Sequence, residues 1–197
     1  MYFITMQKYS KEWLRTDEIR SMIALPELSE KYEIWLILCY VPALRISEAI
    51  NIRVRDLDLK SESIDIWRGK GKSGELQKAP CDAGTLKKIL RYAEHHDLRN
   101  NDYIMFSNKS EQVHRSQVYR VFNDIMHDAC IDKLRIGTHT LRRSRAQHLL
   151  NAGLPLVYVS KMLRHQNIST TMKYVNVSVA DIQREMEKIQ DPVGTLI

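Results

Sequence analysis

The sequence predicts a mainly α-helical domain carrying a small antiparallel β-sheet, an α+β fold. Three observations lead there. Apolar residues recur at helical spacing over most of the chain, and the stretch from Val54 to Ala79 instead alternates apolar with polar. The turn-rich string Gly-Lys-Gly-Lys-Ser-Gly at 69–74 then divides that stretch as a hairpin would. At 197 residues the chain can bury roughly 70% of the surface its extended form exposes, enough for one core.

Thr16, followed by Asp17 and Glu18, reads as an N-cap with an acidic first turn, and its helix stops before Pro26. Ser29 opens a second helix through Ile34, Leu36, Ile37 and Leu38 to near Pro42, apolar enough to be central and buried. A short helix covers Ile46 to Ile50. Val54, Leu57, Leu59, Ile64 and Ile66 then predict strands, with Ile64–Trp67 and Leu76–Ala79 forming the hairpin. Asp82 caps a helix through Leu86, Ile89, Leu90 and Tyr92. Tyr103–Phe106 reads as a short strand before a helix from Ser116 to Cys130. Gly137 and Thr138 precede a helix from Thr140 to about Asn151, which Gly153 ends. Helices at Pro155–Leu163 and about Ser169–Tyr174 follow. Ser178 caps the last one, whose Ile182, Met186 and Ile189 form an apolar stripe.

Lys and Arg number 30 against 24 Asp and Glu, a net charge of +6. Their distribution is more informative. From Lys133 to Ala180 there are eight basic residues and no carboxylate, which leaves the remainder of the chain slightly acidic. A polyanion is the partner such a segment suits. Cys39, Cys81 and Cys130 are scattered without metal-ligand spacing, which fits a reducing cytoplasm and excludes a disulfide framework. The longest nearly uncharged apolar run, Ile34 to Leu44, is too short to span a bilayer, and no secretory leader is evident.

Two local motifs fail on chemistry. Gly71-Lys72-Ser73 lacks the glycine five positions upstream that a phosphate-binding P-loop needs, since Ile66 stands there. Cys39 and Arg45 have cysteine-phosphatase spacing, but the bulky residues between them cannot wrap amides around a phosphate. Four dispersed pieces carry more. Arg45 and Glu48 lie one turn apart, which a surface ion pair would also explain. Lys70 sits at the hairpin tip between glycines, as a solvated lysine could. His139 and Arg142 share a face at a helix N-terminus, where exposed amides favour anions. His165 precedes Tyr174 by nine residues, and a lone tyrosine there would equally fill a core.

Taken together, ALRISEAI (43–50), GKGKSG (69–74), HTLRRSRAQHLLNAG (139–153) and LRHQNISTTMKY (163–174) resemble the catalytic domain of the tyrosine recombinases, or lambda-integrase family. The likeness runs from about Thr16 to Val177. It implies the tyrosine recombinase catalytic-domain fold and site-specific DNA cleavage and religation through a 3'-phosphotyrosyl intermediate and a Holliday junction. On that resemblance Tyr174 is the nucleophile and His139 the general base. Arg45 and Arg142 hold the non-bridging phosphate oxygens, Lys70 protonates the leaving 5'-oxygen, and His165 donates to the phosphate. Glu48 orients Arg45 or His139 from behind. Lys72, Arg143, Arg145, Lys161, Arg164 and Lys173 are the expected DNA contacts. No metal or cofactor is expected.

The pattern departs from the family at Ala43 and Arg164, where glycine is usual, and at Arg143, where histidine is common. The expected organisation is one catalytic domain over 1–197, with 1–15 as a lead-in and 178–197 as a helix and tail exchanged between subunits. A separate N-terminal DNA-clamping domain is not expected. Double-stranded DNA is the expected partner, bound by a homotetramer that is monomeric when free, without membrane association. A type IB topoisomerase-like or telomere-resolving enzyme would use nearly the same residues. A helix-turn-helix binding module would account for the basic run but leaves Arg45 and Lys70 unexplained.

Overall fold

The computed structural model describes residues 13–68, 75–108, 111–133, 137 and 139–165. Seven helices and a sheet appear among them: α1 (Thr16–Ile23), α2 (Glu30–Tyr40), α3 (Ile46–Ala49), β1 (Leu57–Asp58), β2 (Ser63–Arg68), β3 (Glu75–Pro80), α4 (Ala83–His95), α5 (Arg115–Asp128), α6 (Thr140–Asn151) and α7 (Leu156–Met162). The expected mainly helical α+β fold is therefore present.

The central helix is α2. Its consecutive residues Ile34 to Cys39 are all buried, so it has no solvent stripe and packs against α3, α4 and α6. Burying a helix on every side demands this continuous apolar run. Trp35 meets Phe122 of α5 edge-to-face, with ring centroids 5.8 Å apart. The sheet has order β1-β2-β3, all antiparallel. Ile64 pairs with Ala79, both buried against the core, whereas the next cross-strand pair but two, Trp67 with Leu76, faces solvent.

Element starts differ slightly from expectation. Arg15, not Thr16, caps α1, because the Glu18 carboxylate accepts the Arg15 N–H at 2.6 Å. Asp82 does cap α4, accepting the Thr85 amide at 2.9 Å. Val54 is not in a strand: Asp56 accepts the Arg53 N–H at 2.8 Å and closes a 3₁₀ turn over Val54–Asp56. Tyr103–Phe106 is not a strand either. It makes one isolated bridge to Arg53, and the neighbouring Asp102 and Asn100 carbonyls accept from Val54 and Arg55 instead of building a ladder.

Four helices end alike. In α4, α5, α6 and α7 the residue after the cap is left-handed and the following amide reaches back five residues, the Schellman arrangement. Only α6 uses glycine for it, Gly153 at φ +89°; the others place Asp97, Cys130 and Arg164 there. The expected helices over Ser169–Tyr174 and after Ser178, and the hairpin tip at 69–74, lie outside the described residues.

Candidate functional site

Arg45 caps α3 and Glu48 occupies its third position, so the carboxylate folds back on its own helix start. Glu48 Oε2 accepts the Arg45 backbone N–H at 2.8 Å, and Oε1 accepts from the guanidinium at 2.5 Å. This is not a plain surface pair. The Glu48 side chain is 10% exposed and that of Arg45 27%.

Two more guanidinium groups converge on the same carboxylate. Arg142, one turn into α6, donates from Nη1 to the Ala43 carbonyl at 2.6 Å and from Nη2 to the Leu163 carbonyl. Its Nη1 lies 3.6 Å from Glu48 Oε2. Arg164 donates from Nη2 to that same oxygen at 2.7 Å and from Nη1 to the Met162 carbonyl at 3.0 Å. Burial works to raise the Glu48 carboxyl, but the Arg164 charge and the hydrogen bonds from Arg45 outweigh it, holding the group below its ordinary 4.5.

The backbone is bent to suit Arg142. Both carbonyls that hold it belong to turns with a left-handed residue: Ala43 itself, φ +52°, and Arg164, φ +52°, directly after Leu163. These are the two positions where the resembling family has glycine. An L side chain there costs about 1–2 kcal/mol, so the family preference has a steric cause. The same turn sets His165, whose amide donates to the Ser160 carbonyl at 3.2 Å. His139 is the exposed N-cap residue of α6, and its carbonyl accepts the Arg143 amide at 3.1 Å.

Arg45, Glu48, Arg142 and Arg164 are thus brought together, with His165 next along the chain. Lys70, Lys72, Lys173 and Tyr174 lie outside the described residues. Among its described residues, the acid-free segment turns most of its cations inward instead of forming the open basic face that composition suggests. Lys133 is turned inward onto Glu18 at 2.6 Å and the Trp13 carbonyl, and Arg143 is buried with Nη2 on Thr140 Oγ1 at 3.0 Å. Arg142 and Arg164 are buried as well. Their counter-charges, Glu18 and Glu48, come from the other half of the chain, where a reading of local composition could not find them. Arg145 is half-buried over the Tyr40 ring, 5.3 Å from its centroid, and Lys161 is exposed.

A cleft of about 680 Å³ opens from Arg45 and Glu48 toward the sheet and is lined also by Arg53, Arg55, Trp67 and Tyr103. Sequence reasoning did not single out these four. Trp67, 62% exposed on a strand beside a glycine-rich tip, was the available signal. Cys39 is fully buried, and desolvation pushes its thiol far up, which removes it as a nucleophile. The Glu30, His95 and His96 group, the cluster of ligand type among the described residues, is exposed and stands at the opposite end of α2 from Arg45. No described helix is long and apolar enough to cross a membrane.

Residues 12–181 match the phage integrase family. A tyrosine recombinase of Thermosipho africanus is 34% identical over 172 residues, covering 85% of this chain and 58% of that protein. The tyrosine recombinase XerC of Staphylococcus aureus is 29% identical over 185 residues, 90% of this chain and 61% of its own length. This chain therefore spans well under two thirds of either relative. Among solved structures, the XerA recombinase superposes with a TM-score of 0.74 at 22% identity, covering 93% of this chain and 66% of that one. The XerH site-specific recombinase bound to its difH substrate gives 0.73 at 20% identity over 94% of this chain and 56% of that one. These likenesses show the tyrosine recombinase catalytic-domain fold.

Proposed function

This chain belongs to the phage integrase family, and from that membership we propose that it recombines double-stranded DNA at specific sites by cutting and rejoining strands. The observation that carries the reading is the convergence of Arg45 and Arg142 on Glu48, from segments 97 residues apart. Arg45 lines the open cleft and Arg142 lies behind it against the same carboxylate, and two permanent planar cations so placed suit the non-bridging oxygens of one phosphate.

In the proposed step the Tyr174 phenol oxygen attacks phosphorus and the bond to the 5'-oxygen breaks. The phenolic proton passes to His139, and the leaving oxygen takes a proton from Lys70. His165 donates to the phosphate, and Arg45 and Arg142 meet the charge that builds on the pentacoordinate phosphorus. The phosphotyrosyl ester keeps the bond energy for religation, so exchange through a Holliday junction needs no external energy source. No metal enters this scheme, because the arginines, Lys70 and the histidines supply both charge and protons. The catalytic unit is the whole 1–197 region, acting as a homotetramer on DNA and a monomer when free, with the helix after Ser178 docked on a neighbouring subunit.

Incubation with a nicked suicide duplex, followed by denaturing electrophoresis, tests the assignment. The wild-type chain should form a covalent protein–DNA adduct in EDTA, and Tyr174→Phe should form none while binding DNA about as well. An adduct that persists in Tyr174→Phe would overturn it, as would one that requires magnesium.

A further inference from the structure

Arg164 was expected to touch DNA, but its direct hydrogen bond to the Glu48 carboxylate gives it a different role. Its side chain is 4% exposed, and both terminal nitrogens point inward, Nη2 to Glu48 Oε2 at 2.7 Å and Nη1 to the Met162 carbonyl at 3.0 Å. It also holds a left-handed backbone at φ +52°, which glycine would adopt without strain. An arginine kept at such a position needs an energetic return, and the contact with Glu48 supplies one.

We infer that Arg164 is a positioning residue that neutralises Glu48, so that Arg45 and Arg142 keep their full charge for the scissile phosphate. The reasoning is electrostatic. Glu48 is largely shielded from solvent, and a lone carboxylate between Arg45 and Arg142 would cancel one of their two charges. With Arg164 on Oε2 the cluster carries +2, which matches the double negative charge of a pentacoordinate phosphorane. Among the described residues, the charged and titratable groups on Glu48 include Arg45 on its own helix, Arg142 from α6, Arg164 after α7 and the Cys39 thiol of α2. Arg53, Arg55, Asp56 and Asp65 stand across the cleft. The Arg164 charge is the largest single influence opposing the desolvation of Glu48, and Arg45 adds two hydrogen bonds and its own charge.

The catalytic consequence rests on the recombinase reading, but the electrostatic claim does not. The first measurement therefore uses the free protein: carbon-detected NMR titration of the Glu48 carboxyl in wild type, Arg164→Met, Arg164→Gly and Arg164→Lys. Glu48 should titrate about one pH unit higher in Arg164→Met and Arg164→Gly, while Arg164→Lys stays near wild type. The second measurement is the rate of adduct formation at neutral pH. It should fall roughly tenfold in Arg164→Met with DNA affinity unchanged, and Arg164→Lys should restore most of it. Unchanged titration of Glu48 in Arg164→Met overturns the inference. So does a loss of DNA affinity without a shift in Glu48, which would return Arg164 to the DNA surface. If wild type forms no adduct while Glu48 shifts as expected, the recombinase reading fails and the electrostatic one stands.

Discussion

Among the described residues there are two apolar cores of very different weight. The larger gathers residues from α1 to α5 and the sheet around α2, with Trp35, Phe122, Tyr92 and Leu86 among its fully buried side chains. The smaller, beneath α6 and α7, consists among the described residues of Ala43, Ala146, Val159 and Leu163. Two of those four are alanines, and Leu149, Leu150, Leu154 and Met162 pack against them only partly buried, so burial there contributes less than in the larger core at about 25 cal/mol per Å². Among the described residues, polar contacts reinforce α7: the Leu163 and Met162 carbonyls on two arginines, and Arg164 on Glu48. The region that carries the candidate site therefore adds a stitching of charge to a thinner apolar contact, on a scaffold that stands by hydrophobic packing.

This contrast can be broken from either side. Trp35→Ala should be the most damaging change, costing about 4 kcal/mol of global stability by leaving a large cavity against Phe122, and urea unfolding followed by tryptophan fluorescence would read it. A loss below about 1 kcal/mol would mean the larger core is not where stability resides.

Glu48→Gln attacks the stitching. It leaves Arg142 and Arg164 buried without their counter-charge, at a cost of about 3 kcal/mol. The pH dependence identifies the cause. Because folding depresses the Glu48 carboxyl, its contribution is present above the ordinary value of 4.5 and is lost as pH falls through the folded value. Wild type should therefore lose part of its stability on acidification below about 4.5, and Glu48→Gln should lack that part. Hydrogen exchange should show α7 opening before α2 in the variant.

The smallest effect has the opposite sign. Ala43→Gly removes an L side chain from φ +52° and should stabilise the fold by about 1 kcal/mol, raising the thermal midpoint by about 3 °C in calorimetry. No gain would mean that the turn relaxes in solution, and the two-carbonyl hold on Arg142 with it.

How much of this was legible in the sequence follows from the range of the interactions. Helices with a strong apolar run or a capping side chain, such as α2 and α4, could be read directly, since Ile34 to Cys39 and Asp82 act over a few residues, although the Ser29 side chain itself makes no cap hydrogen bond. The Arg45–Glu48 pair was legible for the same reason, being three residues apart. Chain ends of α4, α5 and α7 were harder to place, because Asp97, Cys130 and Arg164 adopt the left-handed conformation without announcing it as Gly153 does. Tyr103–Phe106 misled because β-type residues form a strand only where another edge is free to pair. The inward turn of Lys133 and Arg164 was invisible, since their partners are 115 and 116 residues away.

Those separations bear on the order in which the protein assembles. Lys133 to Glu18, Ser144 to Leu14 and Arg164 to Glu48 each close a loop of more than a hundred residues, so the contacts form only after that chain length exists and its ends have met. Most of the larger core lies upstream of Lys133 and is available first to a chain that grows from its N-terminus. Glu48 then waits, largely shielded beside Arg45, for cations made last. The arginine cluster is therefore completed only when the last of the described chain, through Arg164, has joined the scaffold.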